Sequence, residues 1–164
     1  MDFVRDQREG AFGTRLRRLS ERLDREVQDI YRHAGEGFEP RWFAVVAALR
    51  EGPATVGELA GRIGVTHAAI SQVRGALAER GLVRAVPDPD DQRRQHLELT
   101  ERGRETAARL EPLWAAIAAA TRELLAQAAP DLIADLERLE SALGKQGLSA
   151  RVMARLQGPA EADR

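Results

Sequence analysis

Apolar residues recur every three or four positions along the first part of the chain. They are Phe12, Leu16, Leu19, Leu23, Val27 and Ile30, and mostly charged residues fill the positions between them. This period predicts a long helix with a single apolar stripe. Gly35 and Gly37 end the helix. Pro40 suits the first turn of a second helix, and because residues 42–49 are nearly all apolar, we expect that helix to be buried.

Two short helical patterns joined by a tight turn follow. Thr55 and Glu58 have the spacing of a capping box, which predicts a third helix through Ile63. Thr66 is suited to cap the N-terminus of a fourth helix. Gly81 stands just beyond the end of that helix, where a left-handed backbone conformation favours glycine.

The fourth helix has an unusual outer face. Its apolar side consists of Ile70, Val73 and Leu77, and the opposite side carries Ala68, Ser71, Gln72 and Gly75, with His67 and Arg74 on the flanks. Small and amide side chains would let the helix approach the floor of a DNA groove, where Gln72 could pair with adenine and Ser71 could contact bases or phosphates. The alternative is an ordinary surface helix rich in alanine.

Two segments of alternating pattern, 82–86 and 95–99, predict a β-hairpin with the Pro- and Asp-rich connection 87–94. Three aspartates in this connection would repel phosphate. Asp91 and Arg93 are two residues apart, however, so the carboxylate could hold the arginine extended towards a narrow minor groove. The alternative is that the connection is only a turn.

The C-terminal third of the sequence is helical in pattern. Residues 101–129 predict an alanine-rich helix that Pro112 kinks or divides. A leucine stripe at 132–143 and a short pattern at 148–156 predict two more helices.

The order of these elements defines a fold class. Two helices joined by a tight turn and followed by a hairpin make a winged helix-turn-helix, so we predict a mainly α protein with a small β-hairpin wing. Residues 38–104 form the winged lobe, residues 1–37 and 105–157 supply dimerisation helices, and residues 158–164 form a frayed tail. Apolar stripes outside so small a lobe favour a dimer, although they could instead fold back on their own lobe.

The central segment GELAGRIGVTHAAISQVRGALAERGLVRAVPDPDDQRRQHLELTERGRE resembles the DNA-binding lobe of the MarR family of transcriptional regulators. The matching motifs are the helix-turn-helix, GLVRAV, DQR in the wing and LTERG. The resemblance implies an intertwined helical homodimer that places recognition helices in successive major grooves and Arg93 in the minor groove, oriented by Asp91. Together with the helical face, it gives the expected DNA-binding residues: Thr66, His67, Ala68, Ser71, Gln72, Arg74, Asp91, Arg93 and Arg94.

Composition narrows the function further. The 164 residues include no cysteine, which excludes disulfides, thiolate metal sites and the cysteine-based peroxide sensing known in this family. The formal net charge is -1, so DNA contact must come from a local patch. Between residues 55 and 86 the arginines outnumber the glutamates: Arg62, Arg74, Arg80 and Arg84 against Glu58 and Glu79. With no signal peptide and no membrane-length apolar run, we expect a cytoplasmic protein without a membrane partner.

The sequence gives little support to an enzyme. His33, His67 and His96 stand on separate elements, so we expect no catalytic activity, no metal site and no cofactor. The prediction is an effector-responsive repressor that binds a pseudo-palindromic double-stranded operator as a homodimer. A small-molecule effector would contact Trp42, Phe43 and Trp114, unless these aromatic residues only pack the core. The alternative function is a winged-helix protein-interaction module that does not read DNA.

Overall fold

The computed structural model of the chain describes residues 2–87 and 94–157. In order, the elements are α1 Phe3–Asp6, α2 Phe12–His33, α3 Phe43–Glu51, α4 Val56–Ile63, α5 His67–Glu79, β1 Val83–Pro87, β2 Gln95–Leu99, α6 Glu101–Ala128, α7 Leu132–Lys145 and α8 Leu148–Gln157. This order confirms the predicted mainly α fold with a β-hairpin wing. The chain divides into two compact units, Met1–Trp114 and Ala115–Arg164.

The helix-turn-helix is defined by side-chain caps that the sequence predicted. Thr55 and Glu58 form a reciprocal capping box, in which the Glu58 N–H donates to Thr55 Oγ1 at 3.2 Å and the Thr55 N–H donates to Glu58 Oε2 at 2.7 Å. Thr66 Oγ1 accepts from the Ala69 N–H at 3.2 Å. Gly64 and Gly81 have φ angles of 75° and 67°, the left-handed conformation that ends a helix at low cost.

The wing is tied to the helix-turn-helix by backbone hydrogen bonds. β1 and β2 are antiparallel, with Val83 opposite Leu99. Ala54, which precedes α4, makes an isolated bridge to β2: its N–H donates to the Leu97 carbonyl at 3.1 Å and its carbonyl accepts from the Leu97 N–H at 2.8 Å. This bridge extends the sheet to the segment that begins the helix-turn-helix.

An aromatic group lies in the core of the first unit. The Phe38 ring centroid is 5.1 Å from that of Tyr31, 5.4 Å from that of Trp42 and 5.7 Å from that of Trp114. Trp114 Nε1 donates to the Tyr31 hydroxyl at 2.9 Å, and burial raises the pKa of that hydroxyl. Tyr31 lies in α2, Trp114 lies in α6, and Phe38 and Trp42 lie in the segment between α2 and α3, so the group joins the long helices to the winged lobe.

An ion pair joins the segment after α2 to α6. Arg109 donates from Nε to Glu36 Oε1 at 2.8 Å and from Nη2 to Glu36 Oε2 at 3.2 Å. These hydrogen bonds lower the pKa of Glu36. A lowered carboxyl pKa means that the pair stabilises the folded state above the usual glutamate range, and this contribution is lost as the pH falls through the folded-state pKa.

Three local features differ from the sequence prediction. α6 continues through Pro112, so of the two predicted effects the division is wrong, and the kink stays a prediction. The exposed ring costs one backbone hydrogen bond, and the long flanks maintain the helix. Phe43 belongs to the apolar run that was predicted to be buried, but its side chain at the start of α3 is 44% exposed. The short α1 was not predicted, although Asp2 caps it by accepting from the Val4 N–H at 3.1 Å.

The second unit has no buried side chain in α7 or α8. Both helices leave large apolar side chains exposed: Ile133, Leu143, Leu148, Val152, Met153 and Leu156. Within the described ranges, no helix combines the length and apolar character that a membrane crossing requires.

Gly103 allows the start of α6 to pack closely against the backbone of Leu82, immediately before β1. A Cβ atom there would lie 2.1 Å from the Leu82 carbonyl oxygen, which also accepts from the Thr100 N–H at 3.0 Å. We therefore expect Gly103→Ala to destabilise the fold by at least about 2 kcal/mol, because backbone must move to accept the methyl group. Urea unfolding followed by circular dichroism measures this change.

Gly61→Ala is the matched control, since Gly61 is also inside a helix and a Cβ there would meet open space. It should raise stability by up to about 1 kcal/mol through helix propensity. Equal stability of Gly103→Ala and the natural chain would contradict the close approach.

Candidate nucleic-acid interface

The structure turns the inner face of α5 into the core and the outer face to solvent. Ile70, Val73 and Leu77 are buried. The exposed set contains the residues predicted to contact DNA on this helix and at its cap: Thr66, His67, Ala68, Ser71, Gln72 and Arg74. Burial of one face therefore fixes which side chains α5 presents.

The first turn of α5 packs beside α4. The His67 ring lies against Gly57, where a Cβ atom would be 3.4 Å from His67 Cε1. This places His67 beside the turn of the helix-turn-helix, next to the Thr66 cap.

Most of the arginines that give residues 55–86 their positive surplus make hydrogen bonds or ion pairs within the protein. Arg62 pairs with Glu51 at 2.5 Å, Arg84 Nε donates to Glu98 at 2.6 Å, and Arg80 donates to the Gly37 carbonyl at 2.7 Å. Arg74 has no hydrogen bond or ion pair with any residue in 2–87 or 94–157. The cationic group available on the outer half of α5 is therefore Arg74.

Glu58 connects the helix-turn-helix electrostatically to the base of the wing. Arg94 Nη2 lies 3.9 Å from Glu58 Oε1, and His96 Nε2 lies 4.0 Å from Glu58 Oε2. Hydrogen bonds from Thr55 are the main cause of the lowered pKa of Glu58, with smaller contributions from His96 and Arg94. The sequence pattern identified Glu58 as a cap and missed its place beside the wing. Arg94 and His96 follow Glu58 by 36 and 38 positions in the chain, so no local spacing signals these contacts.

Of the wing connection 87–94, the structure describes Pro87 and Arg94. Arg94 is exposed immediately before β2. Asp91 and Arg93, predicted to reach the minor groove, lie outside the described residues, and the same holds for the other two aspartates of the connection.

The three aromatic residues predicted to contact an effector differ in exposure. Trp42 and Trp114 are 1% and 8% exposed and belong to the core. Phe43 is exposed, and its ring packs edge-on against Trp114 at 5.2 Å. Trp42 Nε1 is buried with no acceptor among the described residues. The geometry is therefore that of a packed aromatic cluster with one exposed member, Phe43.

The histidines do not come together with other metal ligands. His33 Nδ1 contacts the Asp29 carbonyl at 2.7 Å, His67 packs by Gly57 and His96 lies near Glu58. In the described part of the chain, no group of three His, Asp or Glu side chains is arranged to hold a metal ion.

Comparison with known proteins agrees with this architecture. A family model described as MarR family matches residues 36–94. A protein described as a probable transcriptional regulator from Pseudomonas aeruginosa is 31% identical, with a TM-score of 0.58, over 80% of this chain and 96% of that one. No curated sequence matches the chain.

Two further solved structures are similar. The transcriptional regulator MOSR from M. tuberculosis, solved in complex with DNA, is 25% identical over 80% of this chain and 95% of that one, with a TM-score of 0.66. The PcaV transcriptional regulator from Streptomyces coelicolor, solved with its natural ligand, is 28% identical over 78% and 90%, with a TM-score of 0.57. With its capped helix-turn-helix, its β-hairpin wing and these similarities, the chain belongs to the MarR family of transcriptional regulators.

Proposed function

We propose that this protein is a sequence-specific, double-stranded DNA-binding repressor that acts as a homodimer and responds to a small-molecule effector. The observation that carries the proposal is the outer face of α5, where small and amide side chains stand exposed around Arg74. The similar MOSR structure, which is in complex with DNA, supports this assignment.

The exposed residues predicted to contact DNA from α5 and its cap have different roles in this proposal. Gln72 reads adenine through its amide, and Ser71 contacts a base or phosphate. Ala68 lets the backbone approach the groove floor. Arg74 binds a phosphate, and Thr66 and His67 lie at the N-terminal end of the helix, where backbone N–H groups favour anions.

The wing supplies the second contact. Arg94 lies at the wing base beside Glu58, and the proposal retains Arg93 as the minor-groove side chain with Asp91 orienting it. Contacts of Arg93 and Arg94 would add specificity for operators whose flanking base pairs are A·T-rich and have a narrow minor groove.

Dimerisation follows from the apolar surface that one chain leaves uncovered. In α2, five side chains of the predicted stripe are exposed: Phe12, Leu16, Leu19, Leu23 and Ile30. α7 and α8 expose a second apolar surface. Contiguous exposed apolar stripes are uncommon on a monomer, so we assign both surfaces to contacts with a second copy.

We propose the effector only as a small molecule. The similar PcaV structure holds a natural ligand, which supports ligand response in this chain. Of the three aromatic residues assigned to the effector, Phe43 presents an exposed side chain for contact.

The first test is selection of preferred duplexes from a random pool, followed by anisotropy titration at several salt concentrations. We expect a pseudo-palindromic site with half-site centres about 10 base pairs apart, since two-fold protein symmetry is mirrored in the duplex. Log affinity should fall with log salt at a slope of about 0.9 for each phosphate contact. Failure to enrich any sequence, together with a flat salt response, would favour the protein-interaction module.

Replacing the base-reading side chain tests the role of α5. Gln72→Ala should relax the preference at one operator position by about 1 to 3 kcal/mol, because the amide no longer distinguishes adenine there. Affinities for a panel of single-base operator variants measure the effect. A uniform loss on every sequence would show that Gln72 does not read a base.

Charge introduced into the α2 stripe tests the dimer. Leu16→Glu combined with Leu19→Glu should weaken self-association by at least roughly tenfold, because carboxylates buried without partners are strongly unfavourable. Sedimentation velocity over a concentration series measures this. Val65→Glu alters an exposed apolar residue outside the stripe and should leave the dimer intact. Equal self-association of all three proteins would contradict an interface on α2.

A further inference from the structure

One arginine fixes the C-terminal end of α5 to a distant part of the chain. Arg80, which follows the last residue of α5, donates from Nη1 to the Gly37 carbonyl at 2.7 Å, although the two residues are 43 positions apart. Its guanidinium carbon also lies 4.9 Å from the centroid of the Trp42 ring. A hydrogen bond and a cation–π contact made together orient the guanidinium plane.

The partners of Arg80 are themselves firmly placed. Trp42 is 1% exposed, and its ring packs at 80° against Phe38 in the aromatic core. A Cβ atom at position 37 would lie 2.8 Å from Arg80 Nη1, so the guanidinium occupies the space that a methyl group would need. Gly37 does not have a positive φ, so a methyl group there would be opposed by the guanidinium and not by the backbone conformation.

The sequence alone suggested a different use for this charge. Arg80 is exposed as a residue and belongs to the local arginine surplus that would attract phosphate. In the folded chain its donors face a carbonyl and an indole that belong to the segment between α2 and α3.

We propose that Arg80 is a positioning residue for the recognition helix α5, holding its C-terminal end against Gly37 and Trp42, and that it is not a phosphate contact. This inference rests on the proposed DNA-binding function. Base reading by Ser71 and Gln72 depends on the angle at which α5 enters the groove, since hydrogen bonds to base edges weaken with small misplacements. Arg80 restrains that angle from the end of α5 opposite its Thr66 cap.

Two variants break the same contact from opposite sides. Arg80→Met removes the guanidinium and keeps an unbranched, apolar side chain. Gly37→Ala leaves every charge in place and displaces the guanidinium with a methyl group. We expect each variant to lower affinity for the selected operator roughly tenfold, because binding must then supply the orientation of α5 that the natural contact holds in advance, at a cost similar to that of one hydrogen bond to a charged group. The double variant should bind like either single variant, because both changes remove one interaction.

Salt dependence separates positioning from direct phosphate binding. With Arg80→Met and Gly37→Ala, the slope of log affinity against log salt and the affinity for a non-operator duplex should stay at the natural values. Arg74→Met is the matched control on the same helix, and it should lower the slope by about 0.9 and weaken both duplexes. Circular dichroism and titration of the active fraction ensure that only folded protein is compared.

The outcomes are distinct. A slope lowered by about 0.9 in Arg80→Met, with Gly37→Ala unchanged, would identify Arg80 as a phosphate contact and overturn the inference. Natural operator affinity in both variants would overturn it as well. If the natural chain selects no duplex at all, the proposed function itself fails, which is a different result from either of these.

Discussion

Burial of Ile70, Val73 and Leu77 sets the orientation of α5, and with it the surface that the winged lobe can offer to a partner. These side chains hold α5 in one rotational setting, because turning the helix about its axis would bring small and polar residues into the core and apolar residues into water. The outer face is consequently defined as firmly as the inner one. Any function of α5 must use the side chains that this setting leaves outside.

Short-range contacts hold the wing and the following helix around that buried face. Thr100 links them, since its hydroxyl donates to the Gly81 carbonyl at 2.6 Å and accepts from the Gly103 N–H at 3.0 Å. Arg104 then donates to the Leu99 carbonyl at 2.8 Å. These bonds join the end of α5, the wing and the start of α6 within a few residues, which accounts for the glycine at 103 as a requirement of close packing.

Near-neutral net charge is compatible with DNA binding only if charge is distributed locally. The structure shows that a count of arginines overstates the available charge, since Arg62, Arg80 and Arg84 are each committed to partners in the protein. Buried or paired cations contribute less to the counterion release that favours binding to DNA. Arg74 therefore matters more to the proposed function than the local total suggested.

Local patterns alone predicted α2 to α5, most of the later helices and the hairpin, because caps, left-handed glycines and apolar periods act over two to four residues. They did not predict the short α1 or the continuity of α6 through Pro112. The sequence also determined the outer face of α5, which follows from helical geometry once the apolar side is known. Long-range packing sets the partners of Arg80 and Glu58, the exposure of Phe43 and the close contact at Gly103. These depend on segments that are far apart in sequence and meet through packing of the core, so no local spacing encodes them.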